Sequence, residues 1–360
     1  MATAPLNLEA DVVELTRDIC DIESVSGNEK QLADAIEAAL KQYAHLEVIR
    51  DGDAIVARTN LGRANRVVIA GHIDTVPVAN NLPVQMLSME REQVLYGRGT
   101  VDMKAGVAVQ LKLAATLAEP TSDVTWIFYD HEEVEATKNG LGRLARNRPA
   151  LLEASFAVLC EPTSAEVEGG CNGTMRVELN FKGVKAHSAR PWMGKNAIHD
   201  AAAALATLAA YVPAEEEVDG LVYRESLNAV LIKGGIATNV IPDDCTITVN
   251  YRFAPSKSGA QAEAHLREVF AAADLSVVDV AEGARPGLDR PEAVAFLAAT
   301  KSQARPKYGW TDVARFSALG IPAVNFGPGD PSKAHADDEA VPVSQIYACE
   351  SALRAWLSVG

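Results

Sequence analysis

Three short runs rich in β-branched and aromatic residues, at 66–70 (RVVIA), 124–129 (VTWIFY) and 155–160 (SFAVLC), are separated by helical stretches over 103–118 and 138–148. Strand-type and helix-type patterns that alternate in this way predict an α/β layer structure with a mostly parallel sheet. Such a sheet collects ligands in the crevice beyond the carboxyl ends of its strands. Residues that directly follow each run are therefore the first candidates for function. Ahead of them, residues 8–44 read as two amphipathic helices broken at Ser24-Val25-Ser26-Gly27.

Near Gly169-Gly170-Cys171-Asn172-Gly173 the rhythm changes. A strand pattern at 175–183, an alanine-rich helix at 196–211, strands at 228–236 and 245–252, a helix at 258–273 and a strand at 275–280 follow in turn. The order β-α-β-β-α-β is the split βαβ arrangement of a ferredoxin-like domain. After Pro286 the earlier alternation resumes, with helices at 291–304, 312–319 and 343–357 and a strand at 322–326. The expected organisation is a discontinuous first domain, residues 1–174 and 285–360, with a compact insert at 175–284.

Charge narrows the range of partners. The chain carries 33 Lys and Arg against 48 Asp and Glu, a formal net charge of −15, with no basic run. That balance argues against nucleic acid and against a membrane surface. No apolar run approaches the ~20 residues of a membrane span. The longest candidate, 201–214, is interrupted by Tyr211 and Pro213, and the first nine residues show no basic region followed by an apolar core. Five scattered cysteines form no Cys-x-x-Cys pair, which fits a reducing, cytoplasmic setting.

Of seven histidines, His45, His199 and His265 lie in helical patterns and read as surface or packing residues. The other four stand beside turns, glycines or acids. His72 follows the first strand in Gly71-His72-Ile73-Asp74, and residues two apart on extended chain face one side, so Asp74 can accept from the free ring N–H of His72. A His–Asp pair that merely closes a strand is the alternative. Asp102, in Gly97-Arg98-Gly99-Thr100-Val101-Asp102-Met103-Lys104, opens a helix and could equally be its N-cap. A phosphate loop is disfavoured, because no Gly-Lys-Ser/Thr follows and a carboxylate at 102 would repel a phosphate. Asp130-His131-Glu132-Glu133 ends the second strand, and acids crowded at one strand end repel unless a cation neutralises them. Glu161 ends the third strand, beside Cys160, a core thiol by its context. His335, in Ala334-His335-Ala336-Asp337-Asp338-Glu339, lies in a loop after the strand at 322–326.

Together, His72, Asp102, Glu132, Glu133, Glu161 and His335 put imidazole and carboxylate, without thiolate, after several strands of one sheet. This mixture suits Zn²⁺, Co²⁺ or Mn²⁺. If Asp102 bridges, two metals receive three protein ligands each and keep a position open for water. One glutamate is then left over as a general base. Two such ions about 3.5–4 Å apart acidify a bridging water and polarise a carbonyl, which is chemistry for hydrolysing an amide. Which of the adjacent glutamates ligates stays open on these grounds.

These motifs resemble the dinuclear zinc aminoacylase/carboxypeptidase family, and within it the actinobacterial members that remove succinate from N-succinyl-L,L-diaminopimelate. The resemblance rests on His72–Pro77 (His-x-Asp-x-Val-Pro), Gly97–Lys104 (Gly-Arg-Gly-x-x-Asp-x-Lys), Glu132-Glu133, Glu161-Pro162 and His335, in that order along nearly the whole chain. It implies that His72, Asp102 and Glu161 bind one zinc and that Asp102, Glu133 and His335 bind the other. It makes Glu132 the base that deprotonates water and later protonates the leaving amine, with Asp74 orienting His72.

In the insert, Lys185-Ala186-His187-Ser188 resembles the segment carrying the family's lid histidine. By that resemblance His187 donates to the oxyanion from the partner subunit of a homodimer, and the insert serves as lid and dimerisation domain. Asn239 resembles its companion polar donor. Arg252, Arg315 and Thr174 match substrate-side positions, and a guanidinium can clamp a carboxylate bidentately. Two departures stand out: Cys171-Asn172 replaces an arginine pair of the proteobacterial members, and His131 stands where aspartate is common. The expected activity is hydrolysis of N-succinyl-L,L-diaminopimelate for lysine and diaminopimelate synthesis. The alternatives are acetylornithine deacetylation or another deacylase or carboxypeptidase activity of the family, and a metal-binding protein without catalysis.

Overall fold

A computed structural model of the chain describes residues 5–89 and 92–358. The chain divides into two compact units. The first comprises Met1–Gly169, Gly287–Arg305 and Arg315–Gly360; the second comprises Gly170–Pro286 and Pro306–Ala314.

The first unit is built on an eight-stranded sheet. Its centre is four parallel strands in the order Asp123–Tyr129, Arg66–His72, Phe156–Leu159 and Ala323–Asn325. All four come from the apolar runs of the sequence. Every residue of Asp123–Tyr129 and Phe156–Leu159 is buried, as expected of parallel strands covered on both faces. Sequence periodicity misses the antiparallel pair Glu47–Asp51 and Ala54–Arg58 that extends one edge. It also misses the short strands Glu168–Gly169 and Arg305–Pro306 at the other edge, and the hairpin Gln85–Met89 and Glu92–Tyr96.

Helix Lys104–Thr116 is apolar nearly all round and buried along almost its whole length. It lies so close to the sheet that a Cβ on Gly106 would stand 2.3 Å from the Cys160 carbonyl oxygen. Only glycine admits that approach, which brings the start of the helix, and Asp102 with it, to the carboxyl ends of the parallel strands. Helices Val12–Cys20, Lys30–Leu40 and Val343–Ser358 complete the layers, the first capped by Asp11, whose carboxylate accepts from Val13 N–H at 2.9 Å.

The second unit has a four-stranded antiparallel sheet in the order Ser226–Gly234, Asp244–Phe253, Gly173–Lys182, Asp274–Ala281. Met175, Val177 and Leu179 alternate on one face with Cys245, Ile247, Val249, Tyr251 and Phe253, forming one core with the alanines of the 197–210 helices and with Leu266. Helix Gly259–Val269 starts with a capping box between Ser258 and Gln261. This is the β-α-β-β-α-β order read from the sequence. The unit also takes in residues 306–314, which lie outside the 175–284 span. Asn172 N–H donates to the Lys307 carbonyl at 3.1 Å, and Trp310 Nε1–H to the Glu282 carbonyl at 3.0 Å.

No helix among the described residues is long and apolar enough to cross a membrane. All five cysteines are free and buried.

Candidate metal centre

His72 is the last residue of its strand and is buried. Its Nδ1 lies 3.0 Å from the Asp74 carbonyl and 3.5 Å from Asp74 Oδ1, so the Nδ1 side faces acceptors. Its Nε2 lies 3.1 Å from Asp102 Oδ1. Burial works against protonation of this imidazole, but Asp102 and Asp74 beside it raise its pKa well above the ordinary value.

Asp102 does not cap the helix that follows. Met103 occupies that position, and no side chain caps it. The Asp102 carboxylate instead stands between two histidines, with Oδ2 3.3 Å from His335 Nε2. Burial opposes its ionisation, yet His335 and His72 hold it well below the usual carboxylate range.

His335 has left-handed backbone (φ 64°) in the loop after Ala323–Asn325 and is about half exposed. Its Nε2 lies 2.9 Å from Glu133 Oε2. The carboxylates of Asp102 and then Glu133 push its pKa up to about 10. Glu161 follows the Phe156–Leu159 strand and is buried.

Ligand atoms of His72, Asp102 and Glu161 all lie within 4.8 Å of one another, as do those of Asp102, Glu133 and His335, with Asp102 common to both groups. A third group, His72 with Glu132 and Glu133, meets the same limit. Geometry thus leaves either glutamate able to ligate. The donor set fits divalent cations. Four carboxylates converge with two imidazoles, and protonation of the histidines offsets part of that negative charge. Both histidines are driven toward that form by the acids around them, a load a pair of cations would take over. Imidazole with carboxylate suits Zn²⁺, Co²⁺ and Mn²⁺ in a way that thiolate sites do not.

Asp74 ties the parts together. Its Oδ1 accepts from Glu132 N–H at 3.0 Å and its Oδ2 from Glu133 N–H at 3.1 Å and from the Ser26 hydroxyl at 2.7 Å. Burial raises its pKa, but His72, Ser26 and the Glu132 N–H outweigh that and hold it at about 2. It is a permanent anion beneath the cluster.

The remaining candidates divide between the units. In the second unit, His187 is exposed on the Ala186–His187 strand, paired with Val240. Its Nδ1 accepts from Ala189 N–H at 3.1 Å, so the neutral ring carries its proton on Nε2 and presents a donor outward. Asn239 is exposed beside it in sequence register, its carbonyl accepting from Ser188 N–H. Thr174 and Arg252 pair across the sheet, and Asn250 Nδ2 donates to Thr174 Oγ1 at 3.3 Å. Arg252 is partly buried, which lowers its pKa, and no carboxylate among the described residues lies within ion-pair distance. Arg315 belongs to the first unit, where its guanidinium lies against Gly142.

Sequence reasoning overlooks four supporting residues. Arg98 and Glu339 form a buried pair at 2.8 Å. Glu339 Oε1 also accepts from Val101 N–H at 2.8 Å and Asp102 N–H at 3.1 Å, while Arg98 donates to the Ala336 carbonyl at 3.1 Å. The pair fastens the loop of Asp102 to the loop of His335. Ser26 and Glu29 are the others, and the available signal was the Ser24-Val25-Ser26-Gly27 break ahead of an acid.

Residues 68–358 match the model of Peptidase family M20/M25/M40. The chain belongs to that family. The Mycobacterium tuberculosis protein named "Putative succinyl-diaminopimelate desuccinylase DapE" is 52% identical over 355 residues, covering 98% of this chain and 99% of its own. A Corynebacterium glutamicum protein named succinyl-diaminopimelate desuccinylase is 46% identical over 364 residues, covering 98% of each chain. Among solved structures, a tripeptidase of Staphylococcus aureus superposes with a TM-score of 0.79 at 20% identity, covering 98% of each chain, a likeness of fold. M20 enzymes are metal-dependent hydrolases, and the donor groups above supply this chain's candidate metal centre.

Proposed function

We propose that this M20 hydrolase is a cytoplasmic, dimeric succinyl-diaminopimelate desuccinylase, which hydrolyses N-succinyl-L,L-diaminopimelate to succinate and L,L-diaminopimelate. The observation that carries the reading is the site, which gathers His72, Asp102 and Glu161, then Asp102, Glu133 and His335, and brings Glu132 to His72 and Glu133. It does so in a chain nearly half or more identical, end to end, to two proteins of that name.

In this reading His72, Asp102 and Glu161 hold one zinc, and Asp102, Glu133 and His335 hold the second, with cobalt or manganese as substitutes. When bound, the two ions supply Lewis acidity that polarises the succinyl carbonyl and lowers the pKa of water. Glu132 takes the proton from the attacking water and returns it to the departing amine, so that the amine leaves neutral. Asp74 keeps His72 in one tautomer through Nδ1 and holds the backbone of Glu132 in place. His187 directs its Nε2–H at the developing oxyanion from the partner subunit. Thr174 and Asn239 add polar contacts, and Arg252 and Arg315 are the cations for the substrate carboxylates in a chain of net charge −15.

Support for the dimer comes from the second unit. Ser226–Gly234 is an edge strand on which Val230, Leu231 and Ile232 are all exposed, and of the alanine-rich helix Ala202–Ala210 only Ala204 is buried. An exposed apolar edge is a template for strand pairing with a second copy.

The deciding experiment is kcat/KM for N-succinyl-L,L-diaminopimelate against N-acetylornithine after reconstitution with zinc. A preference for the acetyl substrate overturns the assignment. Glu132→Gln keeps its metal and loses about 10²–10⁴ in kcat; near-normal turnover removes Glu132 as the base.

A further inference from the structure

Three consecutive backbone N–H groups in the loop after Asp123–Tyr129 are all taken by buried carboxylates from other segments. His131 N–H donates to Glu29 Oε1 at 3.2 Å. Glu132 N–H and Glu133 N–H go to the two oxygens of Asp74 at 3.0 and 3.1 Å. His131 itself has left-handed backbone (φ 59°), which an L-residue adopts only where its surroundings impose it.

Glu29 is fully buried, and its Oε1 also accepts from Gly27 N–H at 2.9 Å. It stands at the N-cap of helix Lys30–Leu40 yet makes no capping bond. Its Oε2 has no hydrogen-bond partner among the described residues. A wholly buried carboxylate with one idle oxygen is costly to keep. What it obtains here is a fixed acceptor beneath His131. Ser26, three residues earlier, donates to Asp74 Oδ2 at 2.7 Å and so orients the second acceptor.

We propose that Glu29 and Ser26 are positioning residues for the hydrolytic step. The turn that joins the first two helices grips the 131–133 backbone through two carboxylates, and this grip aims Glu132 at the water. The inference rests on the reading of Glu132 as base. A displacement of the base by about 1 Å is enough to cost up to ~10²-fold in rate.

The test uses the zinc-loaded full-length protein and whichever N-acyl amino acid the wild type turns over fastest, so that a wrong substrate assignment leaves the comparison intact. For Glu29→Ala, kcat falls about 10–100-fold with KM changed by less than about 3-fold and zinc content unchanged. Glu29→Gln retains a carbonyl oxygen for both N–H groups and recovers kcat to within about 3-fold of wild type. Ser26→Ala lowers kcat about 3–10-fold while melting within about 2 °C of wild type, and it decides alone if Glu29→Ala does not fold. The proposal is overturned if Ser26→Ala and Glu29→Ala keep kcat within about twofold of wild type. It is equally overturned if Glu29→Gln is as impaired as Glu29→Ala, or if activity is lost in step with zinc or through KM alone.

Discussion

Arg98→Met tests how the two loops of the metal centre are held. Arg98 is 3% exposed and Glu339 1%, with 2.8 Å between Arg98 Nη1 and Glu339 Oε2. Burial pushes the Glu339 carboxyl above its ordinary value, and the N–H groups of Asp102, Val101 and Gly99, with Arg98, offset only part of that. The ionised form therefore depends on all its donors. Removing Arg98 leaves a buried anion on three backbone N–H groups, a loss of about 3–5 kcal/mol. For a unit of this size each kcal/mol moves the melting temperature by about 2–4 °C, so metal-free Arg98→Met melts roughly 6–20 °C below wild type by calorimetry. Adding Glu339→Gln removes the stranded charge and keeps a carbonyl oxygen where Oε1 accepts from Val101 and Asp102. The double variant is then more stable than Arg98→Met by at least about 2 kcal/mol. If Arg98→Met melts within about 2 °C of wild type, or the double variant is no better than the single, the buried charge is not what holds these loops.

Two further outcomes follow from the same structure. Asp123 accepts from Leu61 N–H at 2.7 Å, Arg63 N–H at 2.9 Å and the Thr59 hydroxyl at 3.0 Å. Burial raises its pKa, but these donors and Arg66 hold it below the usual range. A depressed folded-state pKa gives stability that is present above the unfolded value and lost as pH falls through the folded one, so Asp123→Asn costs about 1–3 kcal/mol at pH 7 and progressively less as the pH is lowered through the acid range. A pH-independent difference between the two melting curves refutes this. For the proposed dimer paired along this exposed edge strand, Ile232→Lys lowers the mass in light scattering from dimer to monomer and depresses kcat through the proposed role of His187; a wild-type mass of one chain, or a dimer mass unchanged in the variant, refutes that edge as the interface.

Much of this architecture was legible because its signals are local. The central strands are unbroken apolar runs, and the insert's strands alternate in period two, so both could be read without a partner. Glu47–Asp51 and Ala54–Arg58 were not, since Arg50, Asp51, Gly52 and Asp53 break the pattern. Their pairing depends on an edge that only the assembled sheet offers. Asp102 shows how a local rule misleads. An aspartate just ahead of a helix suggests a cap, yet two histidines 30 residues before it and 233 after it claim the carboxylate. Glu29 was hidden for the same reason, as its partner lies 102 residues on. Arg98 sits between glycines in a motif that points to Asp102, and nothing nearby announces Glu339 as its counterion.

The path of the backbone limits what can be done with the second unit. The chain crosses between units at four places, after Gly169, Pro286, Arg305 and Ala314. Residues 170–286 expressed alone would lack the Lys307 carbonyl that receives Asn172 N–H and the indole that satisfies the Glu282 carbonyl. Grafting this module onto another hydrolase, or trimming it away, therefore means handling two separated stretches at once, and nature's own recombination between relatives faces the same bookkeeping.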